Sequence, residues 1–135
     1  MSVMDANAPW GGKTVLLVDD YPAVRRAIRE IVINLGLKVV EAENGLEAQE
    51  VLRSKSVDLV ISDLVMPEMD GFELTEAIRA SGKGKRIPIV IISTHDDAKY
   101  IFRALHLGAD DYLIKPPTTE MVKTVLARIF DYDWQ

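Results

Sequence analysis

Apolar runs without alternation, each stopped by a polar residue, constrain this chain more than any other feature. TVLLV at 14–18 stops at Asp19, VDLVIS at 57–62 stops at Asp63, and IPIVII at 87–92 stops at Ser93. A strand with one solvated face alternates apolar and polar residues, whereas one covered on both faces reads as a continuous apolar run. Between these runs the period becomes helical. Val24, Ile28, Ile31, Val32 and Leu35 stripe a segment that opens at Pro22 and stops at Gly36, with Arg25, Arg26, Arg29 and Glu30 between them. The same rhythm predicts a strand at 38–41, a helix at 45–53, and a helix at 72–79 after Pro67 and Gly71. A basic connection SGKGKR follows, then a helix at 97–107, a strand at 111–114 ending at Lys115, and a last helix striped by Met121, Val122, Val125, Leu126 and Ile129. Strands alternating with helices in this way predict an α/β fold, a parallel sheet with helices on both faces and right-handed crossovers.

The 135 residues suit one domain with a real core, and 48% hydrophobic with 27% charged residues is a globular balance. The expected domain spans 13–130, after a flexible arm at 1–12 that carries Pro9, Gly11 and Gly12, and before a short tail at 131–135. The net charge of -5 offers no general attraction for a phosphate backbone, so direct nucleic-acid binding is not expected. No cysteine is present, which excludes disulfides, thiolate nucleophiles and cysteine-ligated zinc. Neither a secretion signal nor a membrane-length apolar run is seen, so a cytoplasmic protein without membrane attachment is expected.

In open parallel sheets, ligands sit outside the carboxyl ends of the strands where strand order reverses. Those ends carry Asp19 and Asp20, Asp63, Ser93 with Thr94, and Lys115. Any one of them suits a solvated loop; together, on four strands, they suggest a site. Clustered carboxylates repel and raise one another's pKa unless a cation lies among them. An acid set without His or Cys suits magnesium, with manganese as the alternative ion. With a metal present, a carboxylate can attack a phosphoryl group. Asp63 stands alone at an inner strand end and is the candidate nucleophile, with Lys115 and the Ser93 hydroxyl facing the transferred oxygens.

The segments VLLVDDYP, LVISDLVMPEMDGFEL, IPIVIISTHDD and GADDYLIKP, in this order and spacing, resemble the receiver domain of two-component response regulators (the CheY-like family) over about residues 13–130. The resemblance implies a flavodoxin-like (βα)5 sandwich with strand order 2-1-3-4-5. It implies phosphoryl transfer onto Asp63 from a phosphohistidine of a sensor histidine kinase or a histidine phosphotransfer protein. Asp19, Asp20, Asp63 and the backbone carbonyl of Val65 would ligate the metal, and Lys115 would stand beside the phosphoryl group. Ser93 matches the switch hydroxyl, Tyr112 the switch aromatic, and Pro116 a cis-proline position. The output would be an unknown partner protein or a C-terminal effector domain. It would be read from the surface of the helix near 97–107, the strand at 111–114 and the last helix, a face that also offers a homodimer contact. Pro117 and Thr94 depart from the residues usual at their positions, which bears on partner preference and phosphoryl lifetime.

Rival readings weigh less. Gly12-Lys13-Thr14 precedes a strand and lacks the first glycine of a nucleotide loop, since position 7 is Asn7. A flavin phosphate would be repelled by Asp19 and Asp20. A magnesium-dependent aspartyl phosphohydrolase is the serious alternative, but such an enzyme wants a general acid two residues after its nucleophile, where this chain has Val65. Slow self-dephosphorylation is expected instead of turnover. His95 and His106 are expected to be solvated or capping residues. Trp10 and Trp134 fall outside the core pattern and would be ordered only by a partner.

Overall fold

The computed structural model describes residues 10–82 and 86–130. Five strands, β1 (Thr14–Val18), β2 (Lys38–Ala42), β3 (Leu59–Ser62), β4 (Ile89–Ser93) and β5 (Asp111–Ile114), alternate with five helices. The helices are α1 (Pro22–Asn34), α2 (Gly45–Ser54), α3 (Gly71–Ser81), α4 (Ala98–His106) and α5 (Thr119–Phe130). All pairings are parallel, in the order β2-β1-β3-β4-β5. The expected (βα)5 sandwich is therefore the observed one.

Successive strand residues feed opposite cores, which is why the runs do not alternate in polarity. Val15 and Leu17 join Ile28 and Val32 of α1 and Val122, Val125 and Leu126 of α5. Leu16 and Val18 face the other way, into a cluster with Ala48 of α2, Phe72 and Leu74 of α3, and Ala104 of α4. Both cores stop where the strands stop, so polar residues collect at the strand ends.

Two strands begin later than the apolar runs predict. Asp58, just before β3, meets β1 half through its side chain: its Oδ2 accepts from the Thr14 amide at 2.8 Å, while its own amide donates to the Thr14 carbonyl at 2.8 Å. Pro88 has no amide to give, although its carbonyl accepts from the Val60 amide at 2.9 Å.

Trp10 corrects an expectation. It is 4% exposed and belongs to the α1/α5-side core, with Val15, Leu17 and Leu37. The Lys13 amide donates to the Trp10 carbonyl at 3.1 Å, closing a turn that folds residues 10–12 onto the domain. The area a tryptophan buries is large enough to order a short turn without any partner. The remainder of the expected arm, the tail with Trp134, and residues 83–85 of the basic connection lie outside the described residues.

Candidate functional site

Strand order reverses between β1 and β3, whose carboxyl ends are in register through the pair Val18 and Ser62. The next residues, Asp19 and Asp63, are therefore neighbours, and the Asp63 amide donates to the Val18 carbonyl at 2.9 Å. Oxygen atoms of Asp19, Asp20 and Asp63 all lie within 4.8 Å of one another. Asp19 is buried, Asp63 half-buried and Asp20 exposed.

Lys115, delivered by the end of β5, places Nζ 2.9 Å from Asp19 Oδ2 and 3.2 Å from Asp63 Oδ2. Asp19 Oδ1 accepts from the Tyr21 amide at 2.9 Å, and Asp63 Oδ1 from the Leu64 amide at 2.7 Å. Burial pushes the Asp63 carboxyl above the usual carboxylate value; the Lys115 charge opposes this and the Asp19 charge adds to it. Burial pulls the Lys115 ammonium down, but its hydrogen bond to Asp19 and the charges of Asp63 and Asp19 outweigh it, and the net direction is up. One ammonium against three carboxylates leaves an excess of negative charge on hard oxygen donors, which is the donor chemistry a magnesium-type cation takes.

The loop after β3 is held close by Gly71, whose amide donates to the Leu64 carbonyl at 2.8 Å. A Cβ at Gly71 would fall 2.1 Å from the Asp63 carbonyl oxygen, so no side chain fits there. Asp70 and Glu73 form a capping box that starts α3 at this point. Val65, on the same loop, is 61% exposed.

One strand over, Ser93 is wholly buried, and its Oγ accepts from the His95 amide at 3.1 Å. The Tyr112 hydroxyl donates to the His95 carbonyl at 2.6 Å. Burial raises the Tyr112 phenol above its usual value. The His95 ring lies 4.5 Å from the Tyr100 ring, which in turn stacks 6.2 Å from Phe72. The expectation for His95 thus needs correction: it is half-buried and bridges Ser93 and Tyr112 through its own backbone. His106 is exposed in the last turn of α4, as expected. The Lys115–Pro116 bond is cis. Thr94 is exposed and, with Ala23, Ala27, Ile31 and Pro117, lines an apolar groove of about 340 Å³ that reaches Lys115.

The structure therefore brings Asp19, Asp20, Asp63 and Lys115 into one cluster, links Ser93 and Tyr112 beside it, and leaves Val65 and Thr94 on its rim. His95 escaped the sequence reading as a site residue because it acts through its backbone amide and carbonyl.

The profile described as Response regulator receiver domain matches residues 15–127. The chemotaxis protein CheY1 of Helicobacter pylori is 38% identical over 114 residues, covering 83% of this chain and 92% of that protein. The chemotaxis protein CheY4 of Vibrio cholerae superposes with a TM-score of 0.81 at 30% identity, over 87% of this chain and 98% of that one. The receiver domain of a sensor histidine kinase from Pseudomonas aeruginosa, solved with a magnesium ion coordinated in its active-site cleft, gives a TM-score of 0.80 at 28% identity, over 88% and 98%. Among the described residues, no helix is long and apolar enough to cross a membrane.

Proposed function

The chain belongs to the response regulator receiver domain family of two-component signalling, and from that premise we propose that it is a switch driven by phosphorylation of Asp63. The observation that carries this reading is the Asp63 carboxylate at the end of β3, flanked by the Lys115 ammonium at 3.2 Å and by the acid pair. An Asp63 oxygen attacks the phosphorus of a phosphohistidine; the P–N bond breaks, its electron pair stays on the imidazole nitrogen, and the imidazole leaves. Lys115 presents positive charge to the phosphoryl oxygens. A divalent cation, magnesium with manganese as the alternative, would be held by Asp19, Asp20, Asp63 and the Val65 carbonyl, and when bound supplies further charge neutralisation there.

The donor is a sensor histidine kinase or a histidine phosphotransfer protein. The apolar groove beside Lys115 supports its approach along α1 and Pro117. Phosphorylation draws the Ser93 hydroxyl from the His95 amide toward the new phosphoryl oxygen, and Tyr112 repacks against the vacated space. Two packings a few kcal/mol apart are enough for such a shift. The surface read out is that of α4, β5 and α5, where Phe102 is 71% and Leu105 42% exposed. Its reader is an output protein, an effector domain or a second copy. The phosphohydrolase alternative is disfavoured because Val65 carries no acid to activate water. The setting is the cytoplasm, with no direct contact to nucleic acid or membrane.

Incubation with magnesium and acetyl phosphate, followed by intact mass, tests this. One slowly decaying phosphate adduct, lost in Asp63→Ala, is expected. Steady phosphate release without an adduct would mean an enzyme, and an adduct that survives Asp63→Ala would move the acceptor elsewhere.

A further inference from the structure

Arg25 lies in the first turns of α1, yet its guanidinium reaches back to the strand end. Nη1 donates to the Asp19 carbonyl at 2.7 Å, and Nε donates to Glu41 Oε1, on β2, at 2.8 Å. The side chain is only 15% exposed. Arg29 Nε stands 3.2 Å from the other Glu41 oxygen. Asp19 is thereby held at four polar groups: its amide donates to the Ala42 carbonyl at 3.1 Å, its two carboxylate oxygens accept from the Tyr21 amide and Lys115, and its carbonyl accepts from Arg25.

The carbonyl that Arg25 grips belongs to the peptide joining Asp19 to Asp20. Fixing that peptide plane fixes where the Cα of Asp20 stands, and Asp20 is the exposed member of the acid cluster. Charge alone argues against an arginine here, because a guanidinium beside three carboxylates disfavours an incoming cation. Glu41, which also faces Arg29, offsets part of that charge, and the hydrogen bond is what the arginine contributes to the site. Partners that orient a metal's ligands shape affinity without touching the ion.

We propose that Arg25 is a positioning residue for the divalent-cation site: paired with Glu41, it clamps the Asp19 carbonyl and so sets the acid pair for the ion. This rests on the reading of Asp19, Asp20 and Asp63 as ion ligands, and its test separates the two. The full chain, labelled with nitrogen-15, is titrated with magnesium chloride, and the amide shifts of residues 19–21 and 64 give the dissociation constant for wild type, Arg25→Ala and Arg25→Lys. Melting temperature without the ion is recorded for each. Arg25→Ala is expected to weaken binding about tenfold, although it removes a positive charge, and Arg25→Lys, which keeps charge and a donor, to recover most of the loss. Arg25→Met, with its aliphatic stem, replaces Arg25→Ala if truncation unfolds the chain. Unchanged or tighter binding in the neutral variant would overturn the proposal, as would a loss that lysine does not recover. Saturable wild-type shifts alongside either result leave the ion-site reading standing; a wild type without saturable shifts overturns that reading and the proposal with it.

Discussion

The Tyr112 hydroxyl donates to the His95 carbonyl across 2.6 Å, tying β5 to the loop that leaves β4. The His95 amide, in turn, donates to Ser93 Oγ at 3.1 Å, so one loop residue is fastened to both candidate switch side chains. Tyr112→Phe removes the first of these bonds and keeps the ring packed against the α2/α3/α4-side core. The expected cost is about 1 kcal/mol of stability, with faster amide hydrogen exchange confined to the loop after β4 and the start of α4. Exchange unchanged there would show that the bond does not hold the loop.

Lys115 is the ammonium nearest to two of the three clustered carboxylates, and Asp19 beneath it is buried. Lys115→Ala leaves that buried charge without its ion-pair partner, and a loss of about 3 kcal/mol is expected at neutral pH in ion-free buffer. Asp19→Asn in the same chain should recover much of it, which chemical denaturation of the single and double variants measures. Because the folded protein raises the Lys115 pKa, its contribution is complete below the unfolded value of about 10.4 and is lost as pH rises through the folded one.

Asp63 works in the opposite sense from a stabilising carboxylate. Burial raises its pKa in the folded state, so folding favours the protonated form. The associated stability is fully present below the unfolded value of about 3.9 and is lost as pH rises through the folded value. At pH 7 the ionised group therefore weighs against folding, as a site that binds cations would require. Asp63→Asn should melt higher than wild type at pH 7 without divalent ions, and the gap should close as the buffer is taken toward pH 4. A gap that widens on acidification would contradict the sign.

Gly71→Ala puts a methyl group 2.1 Å from the Asp63 carbonyl oxygen, and the obstacle is backbone, which cannot rotate away. Overpacking of this kind is expected to cost about 3 kcal/mol. It should also displace the loop carrying Leu64 and Val65, so that the folded variant takes up phosphate from acetyl phosphate more slowly than wild type. Wild-type uptake with lowered stability alone would confine the glycine to a packing role.

The residue types, the rhythm and the strand ends were legible in the amino-acid sequence, because a strand covered on both faces must be apolar throughout and can turn polar only where the cover ends. TVLLV stopping at Asp19 and the run stopping at Asp63 announced both the inner strands and the acids beyond them. Resemblance to a known family supplied the strand order that makes Asp19 and Asp63 neighbours, and the register of Val18 with Ser62 accounts for it physically. Other features were decided only in three dimensions. Nothing local in GKTVLL says that Trp10 folds back under Val15 and Leu37, since the apolar surface that receives it is assembled from separate segments. Arg25 reads as one more polar residue of an amphipathic helix, and His95 as a loop residue. Their bonds end or begin on backbone carbonyls and amides, which every residue type but proline presents alike, so only the fold selects which of them meet.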